Sequence, residues 1–265
     1  MTFITAIRSN GGILVAADSL EIQSGAYMRW NEFMLLLESK TSTEKETQAI
    51  LSPAEVASHF KSERIKNISG AQKIFSVHRK ALLLVAGKAE LNKQSFAKIA
   101  NEAENTLAKE PEADVERIKQ VVFDILKREL DKEDQELVVN QCEYILAVRD
   151  GGKNYVFLMK YYTNYATNQQ LEFGPGVGSS QEIIVTMGGS AGAASSAGRF
   201  FNSTYNTPSP SKAFELAKAL TSLAVLTEEI TQEIPGIGAT IYYMFLHDNG
   251  STYISSETDM LNSLM

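Results

Sequence analysis

The chain has a single cysteine, Cys142, so it can hold neither an internal disulfide nor a cysteine-rich metal site. Its histidines are His59, His78 and His247, and no two stand at the HxxxH or HExxH spacing that puts a ligand pair on one helix face. No metal and no cofactor are therefore expected. No run approaches the ~20 apolar residues of a membrane-crossing helix, so no membrane partner is expected. The first residues lack the cationic tip and apolar stretch of a secretory leader, and the cytoplasm is the simplest compartment. An excess of positive charge is missing too. Lys and Arg number 25 against 32 Asp and Glu, a net charge of −7. That balance argues against a nucleic-acid groove, whose affinity comes from neutralising phosphates.

What remains is an ordinary globular composition over 265 residues, 44% hydrophobic and 22% charged, enough for a core of normal size. No internal repeat or linker marks a boundary. The expectation is one domain over residues 2–265, with an extended segment at about 20–69.

The chain opens MTFITAIRSNGGILVAADS. This reads as a strand from Phe3 to Arg8, a turn at Ser9-Asn10-Gly11-Gly12, and a strand from Ile13 to Ala17, ended by Asp18. Asn-Gly and Gly-Gly are strong hairpin punctuation. Ser52-Pro53-Ala54-Glu55 resembles a capping box opening a short helix to about Lys61. Strands are expected at Lys73–His78 and Ala81–Ala86, with Gly87 ending the second. Helical spacing runs from Lys88 to Ala108 and from Val115 to Leu130, with Pro111 between. Asp150-Gly151-Gly152 separates strands at Glu143–Arg149 and Asn154–Tyr161. Shorter strands are expected at Glu172–Val177 and Gln181–Met187. GGSAGAASSAGRF reads as the start of a small-residue helix, and Ser211–Glu229 as a longer amphipathic one. A last hairpin joins Ala239–Leu246 to Ser251–Ile254 through Asp248-Asn249-Gly250. Blocks of strands alternating with helix pairs imply an α+β fold of antiparallel sheets covered by helices.

Three segments of this pattern resemble the β-type subunits of the proteasome and the related bacterial ring peptidases, which are N-terminal-nucleophile hydrolases. The first is TFITAIRSNGGILVAAD: a threonine, a hairpin with glycine in its turn, and an apolar strand ending Ala-Ala-Asp. The second is KIFSVHRKALLLVAGKAEL, in which Lys73 opens one strand and Gly87 ends the next. The third is TMGGSAGAASSAGRF, similar to the family's turn into a helix of small residues. The resemblance implies a four-layer αββα sandwich of two antiparallel sheets between helix pairs. It implies a threonine-type endopeptidase working in a symmetric ring on unfolded polypeptides or peptides. An energy-dependent unfoldase is a partner that the resemblance allows.

The resemblance also implies roles. Removal of Met1 leaves Thr2 with a free amine beside its own hydroxyl, and the amine serves as general base. Lys73 stands by the Thr2 oxygen as a cation, Asp18 pairs with Lys73, and the Gly87 N–H faces the oxyanion. Leu20 stands where the family often has arginine, and three further positions depart from the pattern. Gly189 takes the place of the turn serine, with Ser190 one position on. In EIPGIGATIYY, Glu233 stands for an aspartate, and Gly236 takes a second serine's place. The pocket for the residue before the cut is implied to be lined by Glu21, Ala71, Phe75, Val85 and Ala89. Four of these five are apolar, which favours Leu, Tyr or Phe there.

Taken singly these residues need no function. A hairpin start accounts for Thr2, and Asp18 can cap a turn. Lys73 can be a solvated strand-edge lysine, and Gly87 a turn glycine. MGGSAGAA lacks the lysine and spacing of a phosphate-binding loop. Two further readings of the whole stay open. One is a non-catalytic proteasome-like ring or scaffold subunit. The other is an N-terminal-nucleophile amidohydrolase acting on a small amide.

Overall fold

Strand β1 (Phe3–Ser9) and strand β2 (Gly12–Asp18) are buried along their whole length, on both faces. Their near-continuous apolar runs follow from that double burial, because successive side chains point to opposite sides of a sheet. Phe3, Ile7, Leu14 and Ala16 pack with Ala213, Phe214, Ala217 and Leu220 of a long helix. Ile4, Ala6, Ile13, Val15 and Ala17 point the other way, against Leu82, Leu84, Ile145 and Ala147.

In this computed structural model the described residues are 2–19, 21–27, 34–35, 61–68, 71–87, 90–132, 143–164, 168–173, 184–189, 207–231, 237, 240–256, 259 and 262. The chain divides into two compact units. The first comprises Met1–Glu21 and Ser69–Met265; the second comprises Ile22–Ile68. In the second, β3 (Glu21–Tyr27) and β4 (Lys61–Ile68) make a two-stranded sheet, whose first residue belongs to the first unit. The helix expected from Ser52 lies outside the described residues except at Lys61, which begins a strand.

The first unit carries β5 (Ile74–His78), β6 (Ala81–Ala86), the short pair β7 (Glu90–Leu91) and β8 (Gln94–Ser95), then helices α1 (Phe96–Leu107) and α2 (Val115–Leu130). It continues with β9 (Glu143–Asp150), β10 (Lys153–Asn164), β11 (Asn168–Phe173), β12 (Val185–Gly189), helix α3 (Pro210–Thr231), β13 (Ile241–His247) and β14 (Gly250–Ile254). One five-stranded sheet runs β12-β1-β2-β13-β14, and another runs β11-β10-β9-β6-β5. Every pairing resolved by register is antiparallel. The fold is therefore mixed α and β with antiparallel sheets, the α+β class expected.

Alternation distributes the second sheet's side chains as it does the first's. Leu82, Leu84 and Ala86 of β6 join the cluster shared with β1 and β2. Ala81, Leu83 and Val85 instead pack with Phe96 and Ile99 of α1 and Ile118, Val122 and Leu126 of α2.

Boundaries differ from expectation in instructive places. Helix α1 starts at Phe96 rather than Lys88, because Asn92 and Lys93 adopt φ of 47° and 61° and fold the chain into the β7–β8 hairpin. The helical spacing is carried by Ala89, Phe96, Ile99 and Ala100; the last three pack on one face of α1, Ala89 lies outside the described residues, and Leu91 of β7 faces the same core. Strand β10 extends to Asn164, and its partner β11 covers Asn168–Phe173; of the strand expected at Glu172–Val177, residues 172–173 lie in β11 and 174–177 lie outside the described residues. Strand β12 begins at Val185. The small-residue helix from GGSAGAASSAGRF lies outside the described residues beyond Gly189.

Candidate active site

The β1–β2 register sets Ile4 opposite Ala17 and Ser9 opposite Gly12. Continued one step, it brings the residues before Ile4 alongside Asp18. The Phe3 N–H donates to Asp18 Oδ1 at 2.9 Å. Thr2 is only 5% exposed and Asp18 is fully buried. A buried carboxylate without partners would be costly, so the site must supply them.

Lys73 supplies them from the other five-stranded sheet. It stands just before β5, where the Val85 N–H donates to its carbonyl at 3.0 Å. Two residues upstream, the Ala71 N–H donates to the Ser19 carbonyl at 2.9 Å, tying this approach to the end of β2. The Lys73 ammonium donates to Asp18 Oδ1 and Oδ2, each at 3.1 Å, and to Thr2 Oγ1 at 3.0 Å. Its side chain is 10% exposed. An ammonium has three N–H donors, and three acceptors stand within reach of it. A charged Lys73 can thus donate to both Asp18 oxygens and to Thr2 at once.

Gly189 ends β12 opposite Phe3, with φ of +104°. A Cβ there would lie 1.9 Å from the Thr2 carbonyl oxygen and 2.7 Å from its carbon. The same Cβ would be 3.4 Å from Ala86 Cβ. Gly189 therefore fills the narrow space between Thr2 and the end of β6. No side chain fits at this position without displacing Thr2. Gly87 follows Ala86 at the exposed end of β6, with φ of +112°, a conformation that glycine adopts readily and other residues do not.

Sequence reasoning missed one member of this group. Glu143, the first residue of β9, pairs with Ala86, and its Oε2 accepts the Gly189 N–H at 2.7 Å. The only signal for it is an acid followed by the apolar run Tyr144–Val148.

Of the expected site residues, Thr2, Asp18 and Lys73 are brought into contact, and Gly87 lies one residue beyond Ala86. Ser190, Glu233 and Gly236 lie outside the described residues, as does Ala89 of the expected pocket. Of Glu21 only the strand position is described. Ala71 is half-buried. Phe75 and Val85, 6% and 4% exposed, pack in the core with Leu91, Phe96 and Tyr144. Among the described residues, no group of three or more His, Cys, Asp or Glu side chains is placed to hold a metal ion. Among them too, no helix is long and apolar enough to cross a membrane.

No protein-family model matches this chain, and no curated protein matches it significantly.

Proposed function

We propose that this chain is a threonine-type endopeptidase subunit, an N-terminal-nucleophile hydrolase that works in a proteasome-like ring. The observation that carries the reading is Lys73 Nζ, held 3.1 Å from both Asp18 oxygens and 3.0 Å from the Thr2 hydroxyl oxygen. A fixed cation on a hydroxyl lowers the cost of forming the alkoxide. The chain's layered cores fit a four-layer αββα sandwich. One cluster joins α3 to the first sheet, one lies between the sheets, and one joins α1 and α2 to the second sheet.

With its three donors engaged, Lys73 leaves the base role to another group. Once Met1 is removed, the Thr2 α-amine is the nearest candidate, since it belongs to the same residue and is neutral in part near pH 8. Thr2 Oγ attacks the peptide carbonyl carbon and its proton passes to the amine. The Gly87 N–H serves the oxyanion. Collapse of the tetrahedral intermediate expels the amine half of the substrate, which takes that proton and leaves an ester on Thr2. Water, deprotonated by the same amine, then hydrolyses the ester and restores the hydroxyl. Ser190 and Glu233 are read as groups polarising the amine or the water.

The substrates are unfolded polypeptides or peptides, enclosed by a homo-oligomeric ring in the cytoplasm, with an energy-dependent unfoldase as a candidate partner. The test is the intact mass of purified protein with and without a peptide epoxyketone or β-lactone. Loss of Met1 together with one stoichiometric adduct, mapped to Thr2, is expected. Retained Met1 without adduct would instead favour a non-catalytic ring subunit, and adduct with activity only on small amides would favour an amidohydrolase.

A further inference from the structure

Glu143 heads β9 in the second sheet, yet its carboxylate accepts a hydrogen bond from the last residue of β12 in the first sheet. Its backbone lies beside Ala86, the residue before Gly87. Its Oε2 holds the N–H of Gly189, the residue pressed on the Thr2 carbonyl. One side chain thus spans from the strand that carries Gly87 to the residue that backs Thr2. We propose that Glu143 is a positioning residue, which sets the gap between the Thr2 nucleophile and the Gly87 N–H by clamping Gly189 across the two sheets. The inference rests on the N-terminal-threonine reading above.

The packing leaves little slack in this clamp. Gly188 stands opposite Ile4, and a Cβ on it would meet Glu143 Oε2 at 2.8 Å and Ile4 Cγ1 at 3.3 Å. The two successive glycines serve different partners: Gly188 admits the carboxylate, and Gly189 admits the Thr2 carbonyl. A side chain at either position would collide with its neighbour. The far end of β9 is tied across the sheets in the same manner. Arg149 reaches Asp248 in the β13–β14 turn through two bonds, at 2.8 and 3.0 Å. Beside it, Asn154 of β10 donates to the Ser9 carbonyl at 2.7 Å. Polar bridges at both ends of β9 hold the apolar faces between them in one register. The bridge at the Thr2 end is the one whose loss would be felt in catalysis.

A carboxylate that acts by position differs from one that acts by charge. Glutamine retains a carbonyl oxygen of similar reach for the Gly189 N–H, and alanine does not. Peptide turnover and the rate of Thr2 acylation by a peptide β-lactone are measured on full-length wild type, Glu143→Gln, Glu143→Ala and Gly188→Ala. Displacement of a reacting group by about 1 Å costs on the order of 10²-fold in rate. The expected result is a kcat loss of about that size in Glu143→Ala, with KM within about threefold, and near-complete rescue in Glu143→Gln with an unaltered pH profile. Gly188→Ala, which pushes the carboxylate aside, should lose kcat likewise. The double variant should be no worse than either single one, the signature of a shared pathway. If Glu143→Ala fails to fold, Gly188→Ala and Glu143→Gln carry the test alone.

Full kcat in Glu143→Ala, or in a folded Gly188→Ala, overturns the proposal. Loss of activity in Glu143→Gln equal to that in Glu143→Ala, with a displaced pH profile, overturns it in favour of charge. Failure of wild type itself to be acylated at Thr2 overturns the peptidase reading and this inference with it. Normal acylation of both wild type and Glu143→Ala overturns this inference alone.

Discussion

The Lys73 ammonium donates to the Thr2 hydroxyl across 3.0 Å, although the two residues are 71 positions apart and each directly precedes a strand of a different sheet. The same nitrogen holds Asp18, which in turn accepts the N–H of Phe3, the residue after Thr2. The nucleophile candidate is thus gripped twice, once at its oxygen and once through the backbone beside it.

Thr2→Ala removes the proposed nucleophile without disturbing the Lys73–Asp18 pair, so on that reading the protein should fold and lose peptide hydrolysis by at least about 10³-fold. Thr2→Ser keeps a hydroxyl and should retain measurable turnover and acylation by a β-lactone. Activity in Thr2→Ala comparable to wild type would move the nucleophile elsewhere.

Lys73→Ala is a harsher change. It leaves the fully buried Asp18 carboxylate with the Phe3 N–H but without its cation. Breaking a buried pair from one side costs about 3–5 kcal/mol. Urea unfolding should show a loss near the lower end of that range, because the Phe3 hydrogen bond, at least, persists. Lys73→Met combined with Asp18→Leu removes both charges and should recover most of that stability while remaining inactive. A double variant as unstable as Lys73→Ala would show that the pair is not the source of the loss.

Gly189→Ala places a methyl group where the Thr2 carbonyl stands, at a φ of +104° that alanine adopts only with strain. Backbone strain of this kind costs about 1–3 kcal/mol. The collision displaces Thr2 as well, so turnover should fall by about 10²-fold or more. Steady-state kinetics on folded protein checks this; a wild-type rate would mean that the Thr2 carbonyl is not held against Gly189.

Acid should expose a second polar cluster. Glu129 is 1% exposed. Burial raises its pKa, but hydrogen bonds from Asn92, Arg128 and Lys132 outweigh that and bring it from 4.5 down to about 2. A carboxylate depressed on folding contributes stability that is complete above its unfolded value, and that is lost as pH falls through its folded value. The window here is therefore about pH 4.5 to 2, and the contribution at neutral pH is about 3 kcal/mol. Glu129→Gln should be less stable than wild type by that order at pH 7, with the difference shrinking across the window. Urea midpoints at a series of pH values measure it, and a difference independent of pH would remove the charge from the account.

Substrate preference tests the expected pocket. On the proposed reading Phe75 and Val85, which pack in the core at 6% and 4% exposed, would form its apolar floor, and burying a large apolar side chain there contributes roughly 1.5–3 kcal/mol. Fluorogenic peptides that differ only before the cut should be turned over faster with Leu, Tyr or Phe than with Arg. Faster turnover of Arg, lost in Glu21→Gln, would assign the preference to the Glu21 carboxylate instead.

The sequence by itself determined what is local. The apolar runs of Phe3–Ile7 and Ile13–Ala17 and the turn between them prescribe a hairpin, and its register carries Phe3, the residue after Thr2, to Asp18. The Asp150-Gly151-Gly152 signal was legible for the same reason, and both glycines adopt positive φ, 55° and 74°. Helices α2 and α3 followed from their periodicity. The β7–β8 hairpin was not legible, since Asn92-Lys93 is not a strong turn signal and Leu91 mimics the helical stripe that follows. Lys73 could be assigned only through resemblance, because nothing in its neighbourhood names a partner 55 residues away. Glu143 could not be assigned at all. Its role exists only where two sheets stack and one carboxylate reaches the backbone of the other. Only the tertiary structure decides such contacts, because they depend on which strand ends meet, and side-chain alternation specifies faces but not ends.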